Sequence, residues 1–195
     1  MARSSRIERN TSETQIKIAL NLDGAGKADI HTGIAFLDHM LTLFCVHGRF
    51  DLEVQASGDL DVDYHHTVED VALVLGEAVS AALGDRSGIR RYGFAVTPMD
   101  EALAEVAIDL SNRPFLVYRL PSVLESVGRF DRGLAKEFFR AFAVKGGITL
   151  HINVGYGENE HHVLESVYKS VGRALNQAVA IESGLSGVRS SKGVL

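Results

Sequence analysis

Hydrophobic and polar residues alternate along two separate stretches of the chain, residues 14–22 and residues 103–110. A period of two predicts a β-strand that buries one face and exposes the other. Turn-forming residues follow each stretch, at residues 21–24 and 111–114. The pattern therefore predicts one half-buried strand in each half of the chain, each ending in a turn.

Each of these strands is followed by the apolar period of a helix, then by a second strand and a second helix. The helices are predicted at residues 34–46, 67–83, 134–144 and 163–181. The second strands are predicted at residues 49–57 and 147–156. This order predicts an α+β fold in which sheets pack on one side against helices. Residues 183–195 have no period and are predicted to form a loop that orders over another surface.

The two halves of the chain are related by an internal duplication. The segment HHTVE at residues 65–69 recurs as HHVLE at residues 161–165, an offset of 96 residues. Further matches pair Gly76 with Gly172 and residues 13–18 with residues 101–106. Two repeats are too few for a solenoid, so a fused pair packed about a pseudo-twofold axis is expected. The predicted βα repeats are residues 1–90 and residues 91–195.

The bulk composition is that of an ordinary globular protein and excludes several classes. Of 195 residues, 46% are hydrophobic and 23% are charged, with a formal net charge of −5. This slight acidity does not favour nucleic-acid binding, for which a basic surplus is typical. No segment approaches the ~20 apolar residues of a membrane span, and none resembles a secretory signal. Because Cys45 is the only cysteine, no internal disulfide can form, and we expect a cytoplasmic protein.

The duplicated histidine pairs open the second predicted helix of each repeat. Residues i and i+4 lie on one face of a helix, so His65 and Glu69 can bind one ion, as can His161 and Glu165. The second histidine of each pair points about 100° away and can serve a different ion. The alternative is a set of structural histidines at helix N-termini. The duplication favours metal binding, since a helix N-terminus favours neutral, ligating imidazole.

Two further histidines are candidate ligands with open alternatives. His39 lies on the first predicted helix, where it is either a ligand or a polar residue on an apolar face. Its counterpart in the second repeat, Glu137, is itself a candidate ligand. His151 alternates with apolar neighbours on a strand, so it is either exposed or reaches the site from the sheet. A ligand set without thiolate fits Mn, Fe, Co, Ni or Zn, and an octahedral ion with open positions favours Mn²⁺ or Fe²⁺.

Several scattered polar residues are candidates for binding a phosphate group. Lys169 lies one helical turn beyond Glu165, and the segment SSKG occupies residues 190–193. Serine, lysine and glycine can bind phosphate through hydroxyls, backbone N–H groups and charge. Arg91 and Arg113 add two more cations. Taken singly, each of these residues fits a solvated surface position equally well.

Six segments taken together resemble the imidazoleglycerol-phosphate dehydratase family, the lyases of histidine biosynthesis. They are GIxxLDHML from residue 33, DxHHTVED from 63, PMDEA from 98, DLSxRP from 109, YGxNxHHxxE from 156 and SSKG from 190. The resemblance extends over residues 9–195, nearly the whole chain. It implies duplicated halves of the ribosomal protein S5 domain 2-like fold and two Mn²⁺ ions in each active site.

The resemblance divides the candidate ligands between the two ions. One ion would be held by His39, His65, Glu69 and His162, and the other by His66, His151, His161 and Glu165. This division agrees with the helix period, because each i,i+4 pair stays on one ion while its neighbour serves the other. The resemblance also implies a symmetric 24-subunit assembly with metal sites shared between subunits.

The resemblance further implies a phosphate substrate and the residues that bind it. Substrate-binding positions are Glu13, His39, His65, Arg91, Arg113, Lys169, Ser191 and Lys192. The cations and the hydroxyl would hold the phosphate group. The catalytic residues are predicted to be Glu13, which lies outside the ligand set and can move protons, and Glu165, which can share that work.

Two other functions remain open at this stage. One is a metal-storage or metal-sensing protein, which would bind ions without a phosphate-binding rim. The other is a two-metal hydrolase, which would hold water between its ions and is usually richer in bridging aspartates.

Overall fold

A computed structural model describes residues 3–121, 130 and 132–195 of the chain. The strands are β1 (Ser4–Asn10), β2 (Thr14–Asn21), β3 (Ala28–His31), β4 (Asp51–Gly58), β5 (Tyr92–Met99), β6 (Ala102–Asp109), β7 (Phe115–Arg119) and β8 (Thr149–Tyr156). The helices are α1 (Ala35–Gly48), α2 (His65–Leu83), α3 (Arg132–Gly146) and α4 (Glu160–Val179). Among these described helices, none has the length and apolar character that crossing a bilayer requires.

The strands form two four-stranded sheets of the same topology. The first has the order β1-β2-β4-β3 and the second the order β5-β6-β8-β7. In each sheet the first three strands pair antiparallel, and the last strand pairs parallel with its neighbour. This repetition confirms the predicted α+β fold with two similar halves. The exact repeat boundary at residue 90 stays a prediction.

The core lies between the sheets and the helices. Alternate residues of β2 (Ile16, Ile18 and Leu20) are buried, as the period of two predicts. The helix α2 packs on the first sheet and α4 on the second, while α1 packs against α4 and α3 against α2. Each half therefore contributes helices to both helix pairs, and residues of α1 come to face residues of α4.

The hydrophobic pattern of the sequence did not predict four of the strands, β1, β3, β5 and β7. All four are edge strands, and most of their residues are exposed or half-buried, so they lack a continuous apolar face. In β5 the pattern is inverted, because Tyr92 and Phe94 are exposed while the small residues Gly93 and Ala95 are buried beneath α4. When the apolar residues lie on the exposed face, the sequence pattern does not show which face of the strand is buried.

Residues 183–195, called the tail below, form a loop, as the sequence predicts. The backbone N–H of Gly88 donates to the carbonyl of Gly187 at 2.8 Å, and Ile89 forms an isolated bridge with Ile181. The Arg91 guanidinium donates to the carbonyl of Arg189 at 2.7 Å. The surface under the tail is therefore the turn between α2 and β5.

The duplicated glycines lie where the helices of each pair cross. A Cβ atom on Gly172 would lie 2.4 Å from the backbone oxygen of Phe44 in α1, and one on Gly76 would lie 2.5 Å from that of Phe142 in α3. Backbone atoms cannot move aside as a flexible side chain can. The two glycines therefore allow the close helix approach on which both helix pairs depend.

Gly172→Ala is expected to lower the free energy of unfolding by about 1–3 kcal/mol, the usual cost of overpacking a core. Chemical denaturation of the metal-free chain measures this change. Gly155→Ala is the matched control, because a Cβ there meets nothing within 4 Å. We expect the control to stay within about 0.5 kcal/mol of the wild type. Equal stability of the two variants would contradict the tight crossing.

Candidate active site

Each histidine pair lies in the first turn of a helix, and a polar side chain just before the pair accepts a hydrogen bond from that turn. The Asp63 carboxylate accepts a hydrogen bond from the backbone N–H of His65 at 2.7 Å. The Asn159 amide oxygen accepts one from the backbone N–H of His161 at 2.9 Å. Such caps satisfy N–H groups that have no partner within the helix. The duplicated histidines therefore stand at equivalent, ordered positions, as predicted from the sequence.

Three candidate ligands converge between α1 and α4. Among the described residues, His39, His161 and Glu165 form a group whose ligand atoms all lie within 4.8 Å of one another. Oε2 of Glu165 lies 3.2 Å from Nε2 of His161 and 3.4 Å from Nε2 of His39. Two imidazole nitrogens and one carboxylate oxygen suit a first-row divalent ion. The group takes members of both predicted ligand sets, and the division into sets stays a prediction.

The second oxygen of Glu165 is held by a cation. Nζ of Lys169 lies 2.5 Å from Oε1, and the Glu165 side chain is only 10% exposed. Burial acts to raise the pKa of Glu165, but the hydrogen bond and charge of Lys169, with a hydrogen bond to His39, keep it below its ordinary value. Glu165 is therefore an ionised carboxylate, which is the form that binds a metal ion.

A related cluster lies between α2 and α3. Nε2 of His65 lies 3.6 Å from Oε2 of Glu69. Nη2 of Arg140 lies 2.7 Å from Oε1 of Glu69, and Nε of Arg140 lies 2.6 Å from Oε2 of Glu137. Glu137 is the counterpart of His39 in the duplication. The two clusters are thus related by the pseudo-twofold axis. The cluster between α2 and α3 differs in that an arginine lies between its two carboxylates.

The second histidine of each pair is oriented by a carboxylate. Nδ1 of His66 lies 2.9 Å from Oδ2 of Asp59, and Nδ1 of His162 lies 2.7 Å from Oε2 of Glu101. An imidazole that donates Nδ1–H to a carboxylate presents the lone pair of Nε2, as metal-binding histidines commonly do. These hydrogen bonds raise the pKa of both histidines. The pKa of Glu101 is lowered to about 2, first by the backbone N–H of Asn159 and then by His162.

Glu13 lies immediately before β2 and close to one of these histidines. Its Oε2 is 3.9 Å from Nδ1 of His66, and its side chain is exposed. Glu101 occupies the corresponding position in the second repeat. The alignment of residues 13–18 with 101–106 was the signal for Glu101, while Asp59 and Arg140 carried no comparable local signal. These three residues are absent from the site predicted from the sequence, whereas Glu137 was a candidate ligand as the counterpart of His39.

His151 points away from the other ligands of its predicted ion. It is exposed on β8, while its neighbours Leu150 and Ile152 are buried against the helices. Successive side chains of a strand point to opposite faces of the sheet. His151 therefore lies on the outer face of the second sheet, whereas His161 and Glu165 lie on α4 behind that sheet.

The two predicted phosphate-binding arginines meet at Asp109. The Arg91 guanidinium donates from Nε and Nη2 to Asp109 at 2.7 and 3.0 Å, and Nη1 donates to the carbonyl of Arg189. Nη2 of Arg113 lies 3.7 Å from the same carboxylate. The Asp109 hydrogen bond raises the pKa of Arg91. Three of the five N–H groups of Arg91 are engaged here, and two are left to donate to another anion.

The remaining phosphate candidates lie in two separate places. Ser191 and Lys192 are exposed in the tail, where the Lys192 backbone N–H donates to Oγ of Ser190 at 3.2 Å. Lys169 lies on α4 beside Glu165. The structure thus brings Arg91 and Arg113 together near the tail and places Lys169 with the metal-ligand candidates.

A sequence profile of the imidazoleglycerol-phosphate dehydratase family matches residues 32–175. The chain therefore belongs to the imidazoleglycerol-phosphate dehydratase family. This confirms the resemblance carried by the six motifs, and it makes the chain a lyase of histidine biosynthesis. The matched range contains the candidate metal ligands from His39 to Glu165, together with Lys169, and ends before the SSKG segment.

Individual relatives extend the match over the full length. The imidazoleglycerol-phosphate dehydratase of Desulfosudis oleivorans is 61% identical over 195 residues, which is 100% of both chains. That of Syntrophobacter fumaroxidans is 60% identical over 99% of this chain and 98% of its own. A crystal structure from Pyrococcus furiosus, in complex with (S)-C348, has a TM-score of 0.85 and 36% identity over 97% of this chain and 100% of its own. One from Staphylococcus aureus has a TM-score of 0.82 and 37% identity over 92% and 99%.

Proposed function

We propose that this chain dehydrates imidazole glycerol phosphate to imidazole acetol phosphate with two Mn²⁺ ions in each active site. The observation that carries the proposal is the convergence of His39, His161 and Glu165 at one of two duplicated, capped histidine turns. Family membership supplies the substrate. A cytoplasmic location belongs to the same proposal, and the single cysteine, Cys45, which is free and buried, supports it.

The reaction must remove a proton from a carbon atom that is not adjacent to any carbonyl group. The acidity has to come from the imidazole ring of the substrate, and a bound divalent ion supplies it by lowering the pKa of a ring nitrogen. As the family's division of ligands has it, one such ion would be held by His39, His65, Glu69 and His162, and the other by His66, His151, His161 and Glu165. The closeness of His39 to His161 and Glu165 supports two ion sites that lie near each other.

The chain's own residues would position the substrate and move its protons. We assign the phosphate group to Arg91, Arg113, Ser191 and Lys192, which fix the ring against the metal site and lower the entropic cost of reaction. Glu13 is the proposed proton-moving carboxylate. It is exposed, lies beside His66, and pairs with no lysine or arginine within the described ion pairs. Glu165 is the weaker candidate, because Lys169 and two histidines already engage its oxygens.

The separation of these groups supports an active site shared between copies of the chain. Arg91 is tied to Ala178, whose carbonyl accepts its backbone N–H at 2.9 Å. Ala178 lies 13 residues beyond Glu165 on α4, which is about 20 Å at the rise of an α-helix. The Arg91 guanidinium is held at this end of α4 by Asp109 and by the carbonyl of Arg189, so a substrate with a three-carbon chain would not join it to the metal site of the same subunit. We infer that the phosphate-binding arginines serve the metal centre of another subunit.

The outer face of the second sheet supports self-association. Three large apolar residues, Tyr92, Phe94 and Phe115, are each more than half exposed on this face, beside the exposed His151. Exposed apolar patches mark interaction sites. If a second copy covered this face, His151 could join the candidate metal ligands of that copy. The family's division of ligands, which groups His151 with His161 and Glu165, would then be met between subunits. The symmetric 24-subunit assembly that the family resemblance implies is part of this proposal.

A dehydration assay on metal-stripped protein tests the proposed function. We expect no measurable turnover of imidazole glycerol phosphate until Mn²⁺ is added back. Mg²⁺ is the control ion, because it prefers oxygen ligands and should not restore turnover at a histidine-rich site. Full activity without metal would contradict the proposal. A metal-storage protein, by contrast, would bind Mn²⁺ but show no thermal shift with the substrate.

A further inference from the structure

The two carboxylates of the duplicated turns are held in the same way. In α4, Nζ of Lys169 engages Oε1 of Glu165, and Oε2 faces Nε2 of His161 at 3.2 Å. In α2, Nη2 of Arg140 engages Oε1 of Glu69, and Oε2 faces Nε2 of His65 at 3.6 Å. In both clusters one oxygen is bound to a cation and the other is turned toward a histidine.

The two cations do not correspond in the duplication. The position equivalent to Lys169 in the first repeat is Leu73, an aliphatic residue that packs against the core. Arg140 instead reaches Glu69 from α3, in the other repeat. The same contact is therefore made by a different residue type from a different helix. A chance surface ion pair has no reason to reproduce the arrangement of the related cluster, in which one carboxylate oxygen pairs with a cation and the other faces the histidine.

Arg140 is itself anchored. Its Nε lies 2.6 Å from Oε2 of Glu137, one turn earlier on α3. The planar guanidinium can bind Glu137 and Glu69 at once, which the single ammonium of a lysine does with less precision. Glu137 also balances the charge of Arg140. The pair therefore directs the Glu69 carboxylate without adding net positive charge near an incoming cation.

We propose that Arg140 is a positioning residue for metal binding by Glu69. It occupies Oε1, so that Oε2 stays turned toward His65, where the ion would sit between oxygen and nitrogen. Carboxylates that bind metals are themselves hydrogen-bonded, and loss of such a partner typically weakens metal affinity about 10–100-fold. This inference rests on the proposed function, in which the duplicated turns hold metal ions.

Arg140→Met separates positioning from simple electrostatics. If charge alone mattered, removal of a cation beside the site would leave Glu69 and Glu137 free and strengthen the binding of Mn²⁺. Positioning predicts the opposite sign. We expect one class of sites to bind Mn²⁺ about 10–100-fold more weakly in the full-length, metal-stripped protein, measured by calorimetric titration and by the electron paramagnetic resonance signal of free Mn²⁺.

Two matched variants complete the experiment. Arg140→Lys keeps the charge and part of the contact, so its affinity should fall between those of Arg140→Met and the wild type. Arg6→Met removes an exposed arginine that pairs with Glu53 at 3.6 Å and takes no part in the ion pairs of the histidine turns, so this variant should bind Mn²⁺ as the wild type does. The Arg140 side chain is 49% exposed, so all three variants are expected to fold, with unchanged thermal midpoints when metal-free.

The outcomes distinguish this inference from the proposed function. Unchanged or tighter Mn²⁺ binding by Arg140→Met, with normal binding by the wild type, would overturn the positioning role alone. If Arg140→Met did not fold, Arg140→Lys with wild-type affinity would overturn it equally. A wild-type chain that binds no Mn²⁺ would contradict the metal-dependent function and this inference with it.

Discussion

His65→Ala is expected to lose both bound Mn²⁺ and turnover. His65 and Glu69 lie one helical turn apart with their ligand atoms 3.6 Å apart, so removal of the imidazole deletes one side of the site. The loss in kcat/KM should exceed the roughly 100-fold upper range seen when only a hydrogen-bonding partner of a ligand is removed. Metal content by mass spectrometry and the dehydration rate at saturating Mn²⁺ measure the two effects.

His31→Ala is the control for this loss. His31 lies on β3 and is exposed, and its ring nitrogen lies 2.9 Å from Asp29, outside both histidine turns. We expect wild-type metal content and rate. Because the His65 side chain is 42% exposed, His65→Ala should keep the stability of the wild type within about 0.5 kcal/mol. A folded His65→Ala variant with full Mn²⁺ content and a normal rate would show that the ligand assignment is wrong.

Glu13→Gln is expected to keep its metal but lose most of its turnover. Glutamine preserves the size of the side chain and removes its ability to take or give a proton. General acid–base catalysis contributes about 10²–10⁴-fold to a rate, and a loss in kcat of that order is expected. Oε2 of Glu13 lies 3.9 Å from Nδ1 of His66, which is beyond hydrogen-bond distance. Glu13 therefore does not orient this histidine, and the Mn²⁺ content of the variant should not change. Steady-state kinetics together with metal analysis distinguish this behaviour from that of a ligand variant.

Two comparisons make the Glu13 result decisive. Glu53→Gln changes an exposed glutamate of β4 that pairs with Arg6, and it should be indistinguishable from the wild type. Glu165→Gln should lose metal as well as rate, because Glu165 belongs to the converging ligand group. A nearly unchanged rate in Glu13→Gln would show that a group other than Glu13 moves the protons.

The candidate metal-ligand pairs follow from local rules. The spacing of His65 and Glu69, repeated in His161 and Glu165, is enough to put each pair on one face of a helix. A helix has 3.6 residues per turn whatever surrounds it. The α+β fold and its duplication were also predictable, because β2, β4, β6 and β8 each bury one face and keep a period of two.

Edge strands and contacts between repeats were not predictable in this way. The strands β1, β3, β5 and β7 bury too little apolar surface to show a period. The convergence of His39 with His161 depends on the crossing of α1 and α4 that Gly172 allows. Nothing in the residues around Arg140 indicates that it meets Glu69, 71 positions earlier in the chain.

The amino-acid order alone was sufficient for everything that depends on neighbours along the chain: the elements of the core, the duplicated histidine turns and the family to which they point. Backbone geometry determines these, and it is the same in every helix and strand. Only the tertiary structure showed which side chains of the other repeat contact each histidine turn. Such contacts depend on how closely two helices approach, and a period along one helix carries no information about that distance.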